Sequence, residues 1–178
     1  MHMALKTHRW TRADLDRMPE DGNTYEVIRG ELFVTPPPGY PHQEVLSRLN
    51  MLLVPYLLRH DLGRIHFPRS VVVFEGSQAE PDLMVLPRGT KVDRWERMPA
   101  PILVVEVLSR TTARRDRVAK RSYYLDAGVG EYWIVDREAK AVSVIRRDLP
   151  DEVVTEQLRW QPIAGVEPLV IDIPELTG

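Results

Sequence analysis

The segment Ile102–Ser109 reads ILVVEVLS and places one carboxylate, that of Glu106, inside an otherwise continuous apolar run. A short run of β-branched and aliphatic residues is typical of a fully buried central strand. Burying a carboxylate without a partner is costly, even after the surrounding protein relaxes. We therefore expect Glu106 either to contact a cation or to lie at a cleft where water reaches the end of the strand.

A second carboxylate, Asp82, follows Pro81 at the start of another predicted strand, Asp82–Leu86. If the two strands are neighbours in one sheet, Asp82 and Glu106 converge at one edge. Mg²⁺ takes one or two carboxylates, keeps waters for a substrate phosphate, and can activate water for attack on a phosphodiester. Two other interpretations stay open at this point: Asp82 could simply begin a strand, and Glu106 could form a buried ion pair with Arg or Lys.

The densest run of charge lies between Arg110 and Arg121, where six basic residues accompany a single acid, Asp116. The chain as a whole has a formal net charge of −2, so it is not a polycation. A local basic surface on a mildly acidic protein can attract phosphates at one site. The alternative is a solvated helix face with no ligand.

Helical spacing of apolar residues predicts the elements that position these groups. It predicts a helix from Pro41 to about Arg59, which Pro55 should kink or shorten. A second helix is predicted to start at Thr111 or Thr112 and to run to about Ala127, where Gly128 stops it. A capping box at Thr11–Asp14 predicts a short helix toward Met18.

Strand patterns surround these helices. Tyr25–Ile28 and Glu31–Thr35 read as a hairpin with a tight turn, and Arg88–Ala100 reads as a surface loop. The remaining predicted strands are Gly63–Phe67, Ser70–Phe74, Asp82–Leu86, Ile102–Leu108, Glu131–Val135, Ala141–Arg146 and Val153–Trp160. This order predicts an α/β or α+β fold with a mixed β-sheet.

Composition narrows the class of protein. The 178 residues suit one domain, 1–178, and the absence of cysteine excludes disulfides and Cys-ligated metal sites. No apolar run approaches the length of a membrane span, and the N-terminus lacks a signal-peptide layout, so we expect a cytoplasmic protein with no membrane partner. The chain has no P-loop, dinucleotide fingerprint or nucleophile elbow, which weakens nucleotide-hydrolase, dehydrogenase and esterase interpretations.

Taken together, motifs from about Tyr25 to Asp136 resemble the Uma-type restriction endonuclease family, within the PD-(D/E)XK nuclease superfamily. The short Pro81-Asp82 and Glu106 motifs carry little specificity alone, whereas the run from Arg115 to Asp136 is much more specific. The motifs are Tyr25-Glu26, Gly30-Glu31-Leu32, Pro37-Pro38-Gly39, His42-Gln43, Glu80-Pro81-Asp82, Val105–Ser109, Arg115-Asp116-Arg117, Lys120-Arg121, Tyr124, Ala127-Gly128-Val129 and Glu131–Asp136.

The resemblance implies a restriction-endonuclease-like core over about 25–136: a mixed sheet flanked by helices, with an N-terminal β-hairpin. It implies Asp82 and Glu106 as ligands of Mg²⁺ or Mn²⁺, and catalysis by these two residues with Lys120. The superfamily's usual lysine position, two residues after the glutamate, is Leu108 here. The family supplies the lysine from the following helix instead, which points to Lys120. Asp116, Lys120 and Tyr124 are spaced to share one helix face, although an Asp116–Lys120 pair could be only an exposed salt bridge.

The expected function is metal-dependent hydrolysis of DNA phosphodiester bonds by a homodimer. Basic residues of the charged run would bind backbone phosphates: Arg114, Arg115, Arg117 and Arg121. His42, Glu44 and Tyr124 are accessory candidates, although a histidine in the first turn of a helix is more often polar surface. Leu108 in the usual lysine position favours an alternative, a non-catalytic domain that binds nucleic acid or another partner. An enzyme acting on RNA or another phosphate ester is a third possibility.

Overall fold

The computed structural model describes residues 8–91, 93–109 and 113–178. Its helical elements are α1 (Arg12–Leu15), α2 (Tyr40–His60), α3 (Ala113–Arg115, Asp116–Lys120 and Arg121–Asp126) and α4 (Ile173–Thr177), with a 3₁₀ turn at Trp95–Arg97. Its strands are β1 (Thr24–Ile28), β2 (Glu31–Thr35), β3 (Gly63–His66), β4 (Val72–Phe74), β5 (Ser77–Ala79), β6 (Leu83–Pro87), β7 (Leu103–Val107), β8 (Tyr132–Asp136), β9 (Ala141–Ile145), β10 (Glu152–Val154), β11 (Gln157–Trp160) and β12 (Leu169–Asp172).

A six-stranded mixed sheet forms the centre, in the order β10-β9-β8-β7-β6-β3. Strands β7 and β8 pair in parallel, with α3 in the connection between them, and the other neighbours pair antiparallel. A second sheet has the order β2-β1-β5-β4 and contains the hairpin β1–β2, and β11 pairs with β12. The predicted fold class is confirmed, including the mixed sheet and the N-terminal hairpin.

Two apolar clusters pack on opposite faces of the central sheet. The first places α2 against alternate residues of β7, namely Leu103, Val105 and Val107. The second includes Val104 of the same strand together with the tyrosines of α3. Because side chains alternate along a strand, Glu106 shares the face of Val104 and points toward α3.

Helix α2 runs from Tyr40 to His60, one residue beyond the predicted Pro41–Arg59 at each end, with Pro55 inside it. Pro55 therefore does not shorten the helix, and the alternative effect, a kink, stays a prediction. Proline removes one backbone hydrogen bond and leaves the carbonyl of Met51 without its helical donor. Both Pro55 and Met51 are exposed, so water can bond the freed carbonyl. The predicted start of the next helix, at Thr111 or Thr112, lies outside the described residues.

The C-terminal third differs most from the strand predictions. The single strand predicted over Val153–Trp160 is wrong: β10 pairs with β9, whereas β11 pairs with β12. A bend between β10 and β11 sends the chain into the two-stranded sheet. The sequence reading also missed β5, which continues the hairpin from β4, because three residues carry little periodicity. Among the described residues, no helix is long and apolar enough to cross a membrane.

Candidate active site

Asp82 and Glu106 lie opposite each other on neighbouring antiparallel strands. The register pairs Leu83 with Val105, so Asp82, one residue before β6, faces Glu106. The backbone N–H of Val107 donates to Asp82 Oδ2 at 2.8 Å, which ties this carboxylate to the end of β7. The condition set from the sequence, that the two strands are neighbours in one sheet, is met, and the two carboxylates lie close together.

Glu106 is 2% exposed, and its Oε1 accepts hydrogen bonds from Lys120 Nζ at 2.6 Å and from the Tyr124 hydroxyl at 2.8 Å. Burial raises the pKa of Glu106 well above its ordinary value. The Lys120 ammonium opposes this rise, and the negative charge of Asp82 adds to it. Glu106 therefore meets a lysine in this structure, and a further cation would favour its ionised form.

Lys120 reaches Glu106 from α3, where residues Asp116–Lys120 form a π-helical segment. Such segments are rare and occur often at functional sites. Lys120 is 1% exposed and also contacts Glu26 Oε1, at 2.8 Å. Burial alone would lower the pKa of Lys120, but the charges of Glu106 and Glu26 outweigh burial and raise it. The exposed Asp116–Lys120 salt bridge considered from the sequence is wrong, since both residues are buried and Lys120 binds other carboxylates.

Leu108, in the usual lysine position, is partly buried and packs against the apolar cluster beside α3. Alternation places it on the same strand face as Glu106. The ammonium of Lys120 approaches Glu106 on this same face. Lys120 of α3 therefore lies beside the carboxylate that a lysine at position 108 would also approach.

A buried ionic network extends from Lys120 to Arg115 through Glu26. Glu26, on β1, is 1% exposed, and its Oε2 accepts from Arg115 Nη1 at 3.0 Å. Arg115 Nε donates to the carboxylate of Asp116 at 3.1 Å, and the Arg115 guanidinium also bonds the Thr35 hydroxyl. Strand β1 and helix α3 are thereby joined by charged groups rather than by apolar packing alone.

His42 lies in the first turn of α2, and its Nε2 is 2.9 Å from Asp82 Oδ2. Its Nδ1 is buried and, among the described residues, has no hydrogen-bond partner. The structure therefore brings His42 and Tyr124 to the two carboxylates. It does not bring Glu44 there: Glu44 lies two residues after His42 and so on a different side of α2, with its side chain 40% exposed and an ion pair to Arg48 at 3.3 Å.

A cleft of about 280 Å³ opens over Asp82, Glu106, Lys120 and His42. Its rim includes the loop Pro36–Gly39. Four carboxylates line the cleft against one lysine and one arginine: Glu26, Glu80, Asp82 and Glu106. Burial raises the pKa of Glu80, and the negative charge of Glu26 adds to this rise.

The donor set fits a hard divalent cation. All hydrogen bonds that described residues make to Asp82 and Glu106 reach a single oxygen of each, Oδ2 and Oε1, which leaves the second oxygens for a ligand. No group of three His, Cys, Asp or Glu side chains is arranged as a metal cage in the described ranges. Two carboxylates with completing waters match the preference of Mg²⁺, which seldom takes an all-protein cage.

The predicted phosphate-binding arginines fall into different surroundings. Arg115 belongs to the buried network. Arg117 is exposed and pairs with Asp136 at 2.8 Å, and Arg121 is half-buried and pairs with Asp151 at 2.7 Å. Arg114 is exposed and has no ion pair with any other described residue.

Glu26 is the site residue that the sequence reading missed. It interrupts the apolar segment Tyr25–Ile28 much as Glu106 interrupts its own strand. In a hairpin, alternation is equally compatible with a glutamate that faces solvent, so the sequence alone does not single out Glu26. Pairing with both Lys120 and Arg115 depends on tertiary contacts between β1 and α3, which the spacing of residues does not encode.

Comparison with known proteins shows which fold and family this chain shares. No curated protein sequence matches the chain. A solved structure from Anabaena variabilis ATCC 29413, described as "a putative nuclease belonging to DUF820", matches with a TM-score of 0.77 at 20% identity, covering 94% of this chain and 97% of that one. The model of the Uma2 family, described as "Putative restriction endonuclease", matches residues 12–173. This chain therefore belongs to the Uma2 family.

Proposed function

We propose that this protein is a divalent-metal-dependent endonuclease that hydrolyses phosphodiester bonds in DNA. The observation that carries the proposal is the meeting of Asp82, Glu106 and Lys120 in one cleft, with Lys120 Nζ 2.6 Å from Glu106. Membership of the Uma2 family supports a nuclease.

Asp82 and Glu106 would hold Mg²⁺ or Mn²⁺, which when bound supplies a Lewis acid that lowers the pKa of water and neutralises charge on the phosphate. The protein's own groups orient these ligands. His42 Nε2 and the Val107 N–H fix Asp82 Oδ2, and Tyr124 fixes Glu106 Oε1. Partners of this kind hold ligands in the orientation that binding needs.

Lys120 would assist by placing a positive charge beside the reacting phosphate, where negative charge grows in the transition state. Water adds to phosphorus, the P–O bond to one ester oxygen breaks, and that oxygen takes a proton to leave as an alcohol. The products are a phosphomonoester and a hydroxyl end. The predicted DNA contacts of Arg114, Arg115, Arg117 and Arg121 belong to this proposal, as does a homodimer that cuts both strands.

A second candidate is a binding domain that keeps the fold without catalysis. One observation favours it, which is that Leu108 occupies the usual lysine position. Such a domain would bind nucleic acid without needing the carboxylate of Glu106.

Nicking of supercoiled plasmid tests the choice, with Mg²⁺, with Mn²⁺ or with EDTA. We expect metal-dependent nicking that Glu106→Gln abolishes and that a matched variant outside the cleft, Glu152→Gln on β10, retains. Intact plasmid in every condition, with salt-sensitive binding that Glu106→Gln keeps, would favour the binding domain. Equal nicking by wild type and Glu106→Gln would overturn the role of Glu106.

A further inference from the structure

Glu26 joins the candidate active site to the rest of the fold through both of its carboxylate oxygens. Oε1 accepts from Lys120 Nζ at 2.8 Å and from the backbone N–H of Glu80 at 2.8 Å, and Oε2 accepts from Arg115 Nη1 at 3.0 Å. Two cations and one amide therefore fix this carboxylate in a buried position. Such a group can serve as a rigid support for a charge that must stay in place.

Lys120 Nζ contacts two carboxylates, and only one of them is a proposed metal ligand. One is Glu106, at 2.6 Å, which the proposed function assigns to the divalent cation, and the other is Glu26. A lysine paired with Glu106 alone would compete with the cation for that carboxylate. With Glu26 on its other side, Lys120 keeps a buried anionic partner when Glu106 turns toward the cation.

We propose that Glu26 is a positioning residue, one that holds the Lys120 ammonium in place and so leaves Glu106 available to a divalent cation. The inference rests on the proposed function, because it takes Glu106 as a metal ligand. It also explains why the lysine can come from α3: the buried carboxylate on β1 fixes the end of a long side chain that spans from helix to sheet.

A purely electrostatic effect would give a partly similar result, since Glu26 also adds negative charge near the cation. Asp116 provides the matched control. It carries the same charge, is equally buried at 1% exposure and also binds Arg115, but its side chain has no hydrogen bond or ion pair with Lys120 among the described contacts. If only the loss of negative charge matters, neutralising Glu26 and neutralising Asp116 should weaken cation binding alike. If positioning of Lys120 matters, only the change at Glu26 should have the larger effect.

The test is calorimetric titration of the metal-free protein with Mn²⁺, after circular dichroism has shown that each variant is folded. We expect Glu26→Gln to bind Mn²⁺ about tenfold more weakly than wild type, as is usual for loss of a group that orients a ligand. Asp116→Asn should lose clearly less affinity. Glu26→Asp keeps the negative charge but shortens the side chain by one methylene, so it should also weaken Mn²⁺ binding. This variant replaces Glu26→Gln in the test if Glu26→Gln does not fold.

A double-mutant cycle assigns the effect to the lysine. In a Lys120→Met background, adding Glu26→Gln should weaken Mn²⁺ binding no more than Asp116→Asn does in wild type. Three outcomes would overturn the inference about Glu26 without affecting the proposed function. Both Glu26 variants could bind Mn²⁺ as tightly as wild type, or Asp116→Asn could lose as much Mn²⁺ affinity as Glu26→Gln. The third outcome is that Glu26→Gln causes its full loss of Mn²⁺ affinity in the Lys120→Met background as well. If wild-type protein binds no Mn²⁺, the proposed function fails, and the role of Glu26 fails with it.

Discussion

The two sides of α3 carry similar charges in very different surroundings. On the inner side, Asp116 and Lys120 are about 1% exposed and are held by partners at 2.6–3.1 Å. On the outer side, Arg117 and Arg121 pair with Asp136 and Asp151 at 2.8 and 2.7 Å, but their side chains remain 44% and 37% exposed. The ion-pair distances are nearly the same, so distance does not separate the two sides.

Burial separates them. Removing one partner of a buried pair leaves a charge that water cannot solvate, whereas an exposed pair contributes little because water and salt replace the lost partner. The inner charges therefore define the candidate active site and couple to folding. The outer charges are more accessible to solvent, and under the proposed function they would exchange these partners for phosphates of a nucleic acid.

The largest expected effect is that of Lys120→Met. This variant leaves Glu26 and Glu106 facing each other without the shared ammonium, so we expect a loss of about 3 kcal/mol in the free energy of unfolding. The matched outer variant, Arg117→Met, should cost less than about 1 kcal/mol. Urea unfolding of the metal-free proteins measures both values, and similar losses in the two variants would contradict the contrast.

The sequence predicted the inner side in part. A single glutamate in an apolar strand and an aspartate beginning a nearby strand were enough to indicate Glu106 and Asp82. This signal is physical, because a carboxylate in a buried strand needs a partner. Lys120, in contrast, was indicated by the resemblance to the Uma-type family. Strand adjacency and the lysine contact follow in the structure as expected.

Glu26 could not be predicted, because its role depends on a partner distant in sequence, a lysine 94 residues later. His42 was named as an accessory candidate, but its contact with Asp82 depends on the tertiary structure, in which α2 begins beside the start of β6. Burial of the charged residues on α3 could not be predicted either. The sequence shows the charges of Arg115, Arg117 and Arg121 but not which of them the fold buries.

The pH dependence of cation binding is the next largest effect. The pKa of Glu106 is raised, so the metal-free protein holds its proton above the ordinary glutamate value of about 4.3. A cation needs the ionised carboxylate, so Mn²⁺ affinity should increase with pH, by at most about tenfold per unit, until the raised pKa is passed. By the same linkage, the stability of the metal-free fold should fall as pH rises through that pKa, because the unfolded carboxyl is already ionised.

Calorimetry of Mn²⁺ binding in buffers with different ionisation enthalpies measures the proton that is released. Glu106→Gln has no such proton, so residual binding by this variant should show no release from position 106. Mn²⁺ affinity that stays constant from about pH 5 upward would mean that the pKa of Glu106 in the metal-free protein is not raised above its ordinary value, and it would contradict the prediction.

A smaller effect distinguishes two neighbouring buried tyrosines of α3. Tyr124 donates to Glu106 Oε1 at 2.8 Å, whereas Tyr123 donates to the carbonyl of Val72 at 2.7 Å. Tyr124→Phe and Tyr123→Phe should each cost about 1 kcal/mol of stability, since each removes one buried hydrogen bond. Only Tyr124→Phe should also reduce the nicking rate constant, by several-fold, because only Tyr124 orients a proposed metal ligand. Equal nicking rates per folded molecule would remove Tyr124 from the accessory candidates.

The smallest expected effect comes from the outer side. Asp151 accepts from Arg121 Nε at 3.0 Å and Nη2 at 2.7 Å, and it therefore competes with any phosphate for this guanidinium. Asp151→Asn should change stability by less than about 1 kcal/mol and strengthen duplex DNA binding about two- to threefold at low salt. Fluorescence anisotropy in EDTA, where metal-dependent cutting cannot occur, measures the DNA affinity of each variant. Arg121→Gln should weaken DNA binding and lower its salt dependence by about one counterion. Unchanged affinity in both variants would remove Arg121 from the proposed DNA contacts and leave the outer side of α3 as a solvated face.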